Sequence, residues 1–114
     1  MYPTSEGQRR LTTKEVPVSR LSELLDSGKF AVTAEINPPK GVDLRDAFAK
    51  AEVLRSVVDA VNITDQQSAN MSMSPLALAS LLMQRGPEVI FQVTCRDRNR
   101  IAIQGDLLGA CAVG

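Results

Sequence analysis

Histidine is absent from the 114-residue sequence, and cysteine occurs only at Cys95 and Cys111. Without histidine, this chain alone cannot supply a histidine-based catalytic triad or a histidine-ligated metal site. The two cysteines have neither the spacing of a disulfide framework nor that of a metal site. We therefore expect two reduced, mostly buried thiols and no bound metal.

Net charge is also lacking, because Lys plus Arg and Asp plus Glu number 13 each. Such a chain has no overall field to attract nucleic acid or an anionic membrane surface. Its longest apolar runs are far too short to span a bilayer. The first ten residues, MYPTSEGQRR, are polar where a signal peptide requires an apolar stretch. We therefore expect a cytoplasmic protein that binds neither nucleic acid nor membrane.

The chain divides by composition into a polar leader and one small domain. Residues 1–17 are polar, contain two prolines and show no period, which is typical of a flexible leader. Residues 18–114 are long enough for one small domain with a modest core. This domain begins with a short amphipathic helix, for which Ser19 is the expected N-cap and Gly28 the C-terminal stop.

Strand and helix patterns then alternate three times. The predicted strands are FAVTAEI (30–36), DAVNITD (59–65) and EVIFQVTC (88–95). The predicted helices lie in the segments 43–58, 74–86 and 96–114, the last interrupted at Gly105 and Gly109. This order and spacing predict an α/β fold with a parallel sheet and right-handed crossovers. The alternation does not decide between a barrel and an open sheet.

Polar side chains gather on one face of the predicted strands, toward their C-terminal ends. They are Glu35, Asn62, Thr64, Gln92 and Thr94. Parallel α/β enzymes place their chemistry at that end, so Glu35 is a candidate site residue. A buried unpaired carboxylate costs several kcal/mol by order of magnitude, so Glu35 requires a partner or a proton. The alternative is that these polar groups bond neighbouring loops, with Glu35 paired to an arginine of the segment TCRDRNR.

That segment, residues 94–100, carries three arginines and Asp97. Arginines at the start of a helix are suited to bind an anion. The alternative is a solvated loop with an internal network between Asp97 and the arginines, which contributes little stability if exposed. From the segment alone we favour the solvated network, because no nucleotide-binding motif accompanies it.

Three motifs in order, FAVTAEINPPKG, DAVNITD and QVTCRDRNRIAIQGDLLGA, resemble the N-terminal third of the methylenetetrahydrofolate reductase family. The resemblance covers residues 28–114 and is greatest to the bacterial branch with TCRDRNR, which also occurs fused to a homocysteine methyltransferase. It implies a TIM (βα)8 barrel that binds FAD at its C-terminal mouth. Such enzymes reduce 5,10-methylenetetrahydrofolate to 5-methyltetrahydrofolate with NADH or NADPH, and we expect the full-length parent to be a homo-oligomer.

The resemblance also implies roles for three residues. Glu35 falls on the family's general acid, which assists opening of the one-carbon bridge of the folate. Thr64 falls on a threonine that contacts the flavin. Gln92 falls on a flavin-contacting position that is histidine in well-known members; glutamine can still form hydrogen bonds there but cannot titrate.

A barrel of this kind needs about 250 residues. We therefore expect residues 18–114 to form about three βα units of a truncated barrel, which alone binds no flavin and is inactive. Two alternatives remain open: a non-catalytic partial barrel that acts by association with a partner, and another pterin-using (βα)8 enzyme.

Overall fold

The computed structural model describes residues 18–114, so the predicted flexible leader at residues 1–17 lies outside the described residues. The helices of the described part are α1 (Arg20–Asp26), α2 (Arg45–Leu54), α3 (Pro75–Met83) and α4 (Arg100–Val113). Its strands are β1 (Thr33–Ile36), β2 (Ala60–Ile63) and β3 (Val89–Phe91). After α1, strand and helix alternate in the predicted order.

Within residues 18–114 the three strands form one parallel sheet in the order β1-β2-β3. The register pairs Glu35 with Asn62, and Ile63 with both Ile36 and Phe91. The predicted α/β class with a parallel sheet is confirmed. A three-stranded piece of this kind is consistent with part of a barrel, and the outer edges of β1 and β3 are unpaired within it.

The core lies between one face of the sheet and the helices α2 and α3. Its largest fully buried side chains include Ile36, Val61, Ile63, Leu78 and Leu82. Full burial of one such side chain stabilises the fold by about 1.5–3 kcal/mol. The strand residues among them lie on the face predicted to be apolar, so the prediction that this face packs against the helices is confirmed.

Local sequence signals set the helix ends. The Ser19 hydroxyl accepts a hydrogen bond from the Ser22 N–H at 3.1 Å, as an N-cap does. Pro75 is the first residue of α3, where its missing N–H is harmless. Gly28 and Gly86 follow their helices with φ of +72° and +104°, a backbone conformation that side chains disfavour.

The predicted interruption of the last helix is wrong, because α4 is continuous through Gly105 and Gly109. An isolated glycine inside a helix costs only about 1 kcal/mol relative to alanine. The Asn99 side chain offsets part of this by accepting the Ala102 N–H at 2.9 Å. Gly109 also lies close to Leu76, since a Cβ added there would be 3.5 Å from its Cδ2 atom.

The predicted burial of the cysteines is also wrong, because Cys95 and Cys111 are both exposed. Cys95 lies in the loop after β3, and Cys111 lies on α4, which has no buried residue. In the part of the chain that the structure describes, no helix combines the length and apolar character needed to cross a membrane.

Candidate functional site

The sheet face opposite the core carries the polar side chains that strand parity predicted. Glu35 is exposed on this face and is paired in register with the half-buried Asn62 of β2. Ile36, the next residue along β1, points into the core. The carboxylate therefore lies away from the helices, in water, and the cost of burying it does not arise in this structure.

Glu35 is hydrogen-bonded to Gln92, and within residues 18–114 it forms no salt bridge with an arginine. The Gln92 Nε2 atom donates a hydrogen bond to Glu35 Oε1 at 3.3 Å, across the width of the sheet. Gln92 directly follows β3, and its main-chain N–H donates to Ile63 O at 3.0 Å. Two of the three sequence-predicted site residues are therefore in direct contact.

Thr64, the third predicted site residue, lies at the end of β2 and is 3% exposed. Its hydroxyl donates to Asn37 Oδ1 at 2.8 Å, and its main-chain N–H donates to Ile36 O at 3.2 Å. The hydroxyl proton is thus committed to Asn37, whereas the oxygen can still accept a bond. Sequence reasoning missed Asn37, although it lies two residues beyond Glu35 in the same motif.

A buried ion cluster lies directly beyond Thr64. Both carboxylate oxygens of Asp65, whose side chain is 1% exposed, accept hydrogen bonds from the guanidinium of Arg98. The Arg98 Nε atom donates to Asp106 Oδ2 on α4 at 3.1 Å. The hydrogen bonds to Asp65 raise the pKa of Arg98, against the opposing effect of burial. Within the arginine segment, the predicted solvated network is therefore wrong for Arg98.

The same prediction is confirmed for the neighbouring pair of Arg96 and Asp97. Their side chains are 47% and 44% exposed and meet at 2.6 Å. The hydrogen bonds from Arg96 lower the pKa of Asp97. Arg96 also donates to the main-chain oxygen of Gln66 at 2.9 Å, which ties this loop to the loop after β2.

The loop after β2, residues 66–72, is closed by its own first side chain. The Gln66 amide accepts from Ser72 N at 2.8 Å and donates to Ser72 O at 3.0 Å. Gln66, Ser68 and Ala69 have φ values of 46°, 56° and 58°. Non-glycine residues in this region cost of order 1 kcal/mol each and cluster at ligand-binding sites.

Two open clefts flank this loop at the C-terminal end of the sheet. The larger, of about 360 Å³, is lined by residues that include Asn70, Met71 and Arg98. The smaller, of about 230 Å³, is lined by residues that include Asn37, Lys40 and Thr64. Within residues 18–114 no group of three or more potential ligands could hold a metal ion.

A comparison with protein families decides where this arrangement belongs. The family model described as Methylenetetrahydrofolate reductase matches residues 20–114. The chain belongs to this family. Neither a curated protein nor a solved structure matched the chain. Membership in the methylenetetrahydrofolate reductase family indicates, in general terms, a folate-related reductase function.

Methylenetetrahydrofolate reductases are generally flavin-dependent, so the polar face can be compared with the needs of a flavin. The rim of a flavin ring carries both hydrogen-bond donors and acceptors, and neutral amide and hydroxyl groups can serve both. Asn62 and Gln92 supply amides, and Thr64 supplies an acceptor oxygen, at the same end of the sheet. The donor set of this chain therefore fits such a group.

The ion cluster is a second part of the site, besides Asn37, that sequence reasoning missed. Asp65 follows Thr64 at the end of a strand, and a carboxylate in that position requires a cation or N–H groups. That signal identifies Asp65 as a residue with a partner. It does not identify which of the three arginines of TCRDRNR, two of which are exposed, provides the pairing.

Proposed function

We propose that the protein carrying this chain reduces 5,10-methylenetetrahydrofolate to 5-methyltetrahydrofolate, with FAD as cofactor and NADH or NADPH as electron donor. In this proposal residues 18–114 form three βα units of a TIM (βα)8 barrel, and the complete enzyme is a homo-oligomer. Membership in the family supports the reaction. The observation that carries the site assignment is the hydrogen bond from Gln92 to Glu35 on the polar face of the sheet.

In the proposed reaction Glu35 is the general acid. The amide of Gln92 donates to Oε1, which leaves Oε2 free to carry a proton toward a ligand above the sheet. A positioned carboxylic acid of this kind contributes about 10²–10⁴-fold to a rate. A ligand covering the exposed face would also exclude water from the carboxyl group.

Thr64 and Gln92 are the proposed flavin-contacting residues. The Thr64 oxygen can accept a bond because its proton is held by Asn37, so its orientation is fixed. Gln92 can accept through its amide oxygen while its nitrogen holds Glu35. When bound, the flavin supplies hydride transfer, and the protein supplies orientation, a proton and exclusion of water.

The proposal is tested by Glu35→Gln in the complete protein that carries this sequence, with the two half-reactions followed separately by stopped-flow absorbance. We expect the folate half-reaction to slow by about 100-fold or more, because glutamine cannot donate the proton. Flavin reduction by the nicotinamide should remain near the wild-type rate. Glu52→Gln is the matched control, because Glu52 is exposed on helix α2 and pairs with Arg55.

Two outcomes would refute the assignment. One is wild-type folate turnover in Glu35→Gln, which would exclude Glu35 as the acid. The other is a complete protein that shows no flavin absorbance after incubation with FAD, which would exclude the proposed reaction itself.

The unpaired outer edges of β1 and β3 within the described residues favour a second candidate function. Unpaired strand edges are templates for pairing with another chain. A non-catalytic partial barrel would act by burying these edges against a partner subunit. Size-exclusion chromatography with light scattering separates the candidates, since a stable complex without flavin would favour this second function.

A further inference from the structure

The ion cluster of Asp65, Arg98 and Asp106 lies beside the proposed site and has no assigned role. Asp65 and Arg98 are fixed in place, because their side chains are only 1% and 16% exposed. They connect three separate parts of the fold, namely the end of β2, the loop after β3 and helix α4. The cluster therefore sets how the ends of β2 and β3 lie relative to each other.

The main-chain hydrogen bonds between β2 and β3 show how it does so. Gln92 N–H donates to Ile63 O at 3.0 Å. In a parallel ladder the next bond lies two residues further on each strand, from Thr94 N–H to the main-chain oxygen of Asp65. Thr94 N–H instead donates to the side-chain oxygen Oδ2 of Asp65 at 2.7 Å. A carboxylate thus replaces the next main-chain acceptor and bridges the two strands where they diverge.

Gln92 makes the first of these two bonds. Its main-chain N–H is bonded to Ile63, and two residues later the Thr94 N–H is bonded to Asp65. Its side chain points across the sheet to Glu35 at 3.3 Å. A change in the second bond would move Gln92 and lengthen a contact that is already near the limit of a hydrogen bond.

We infer that Asp65, held by Arg98, is a positioning residue that places Gln92, and through it Glu35, for the proton-transfer step. This inference rests on the proposed function. The charge matters because all partners of Asp65 are donors: the Thr94 N–H and two nitrogen atoms of Arg98. An asparagine would turn an NH₂ group toward one of them, so it cannot satisfy the same set.

The test compares Asp65→Asn with Asp97→Asn in the complete protein. Asp97 is the matched control, because it is an exposed aspartate that pairs with Arg96 in the loop after β3. Selective isotope labelling allows the side-chain amide of Gln92 and the carboxyl carbon of Glu35 to be followed by NMR at fixed pH. We expect both resonances to shift in Asp65→Asn and to stay in place in Asp97→Asn.

The kinetic arm measures the two half-reactions in the same variants. We expect the folate half-reaction of Asp65→Asn to slow by about 10- to 100-fold, as small misplacements of reacting groups do. Flavin reduction by the nicotinamide should change less than about two-fold, since it requires no proton from Glu35. The folate KM should remain close to that of the wild type, because the residue acts on a step after binding.

Two results would overturn the inference. One is that the resonance of the Gln92 side-chain amide is unchanged in Asp65→Asn although that of the Thr94 amide shifts. The other is an equal loss of rate in both half-reactions. If Asp65→Asn does not fold, Asp106→Asn takes its place, because it removes only the outer carboxylate on Arg98. The amide resonances and the rates of the two half-reactions are then compared in the same way. If the wild-type protein reduces no folate, the proposed function fails, and the NMR arm alone decides whether Asp65 places Gln92.

Discussion

Replacement of Asp65 by alanine should destabilise the chain by about 3 kcal/mol, because it breaks a buried ion pair from one side. The carboxylate accepts one hydrogen bond from the Thr94 N–H and two from Arg98. A single hydrogen bond to a charged group contributes about 1.5–3 kcal/mol, and loss of one buried partner costs about 3–5 kcal/mol. We place the loss at the lower end because Arg98 is still 16% exposed and keeps Asp106.

The assay is urea unfolding at pH 7, followed by circular dichroism. With a slope near 1.5 kcal/mol per molar urea, a loss of 3 kcal/mol lowers the midpoint by about 2 M. Asp97→Ala, in the loop after β3, should leave the midpoint within error of the wild type, because its ion pair is exposed. The double variant Asp65→Leu/Arg98→Met should be more stable than Asp65→Ala, because it leaves no unpaired buried charge.

Midpoints of Asp65→Ala and Asp97→Ala that agree within error would refute a large contribution from Asp65. The buried cluster would then contribute no more than the exposed pair. A double variant less stable than Asp65→Ala would refute the charge argument specifically.

Two further predictions concern the hydrophobic core and the stability of the fold at acid pH. Leu78→Ala should lower the free energy of unfolding by about 2–5 kcal/mol in urea titrations, because Leu78 is fully buried. Leu81 on the same helix is 37% exposed, so Leu81→Ala should lower it by less than half as much. Arg96 lowers the pKa of Asp97 in the folded chain. The small contribution of Asp97 to stability is therefore present above the ordinary pKa of 3.8, and it is lost as the pH falls through the lower pKa of the folded chain. Asp97→Asn should therefore lose less stability than the wild type when unfolding curves at neutral and strongly acid pH are compared, and a greater loss would contradict this sign.

The order of strands and helices was predictable because the residues that begin and end helices agree with the spacing of the apolar residues along the chain. Ser19 caps α1 and Gly28 follows its end, as predicted, and α3 lies within the predicted segment 74–86, which ends at Gly86. The strand ends were less predictable. FAVTAEI predicts a strand from Phe30, but β1 begins at Thr33 and Phe30 is 90% exposed. Alternating apolar residues predict a strand whether or not a neighbouring strand is present to pair with them.

The polar face was predictable from strand parity, since side chains alternate without regard to the rest of the fold. The contact of Glu35 with Gln92 joins residues 57 positions apart, and it depends on the register of three strands. The pairing of Asp65 with Arg98 was not predictable, because the three arginines of the segment are equivalent in type and spacing. Only the path of the loop after β3 decides which of them turns inward.

Helix α4 differs from α3 in how it is attached. It is 14 residues long and largely apolar, yet none of its residues is buried, and Ile101 and Leu108 are 72% and 74% exposed. The bond from Arg98 to Asp106 lies at the middle of the helix, and Gly109 further along lies close to Leu76 of α3. Because so little of this helix is covered, thermal fluctuations should open it while the sheet and α3 remain closed. Its amide hydrogens should exchange with deuterated solvent well before those of α3.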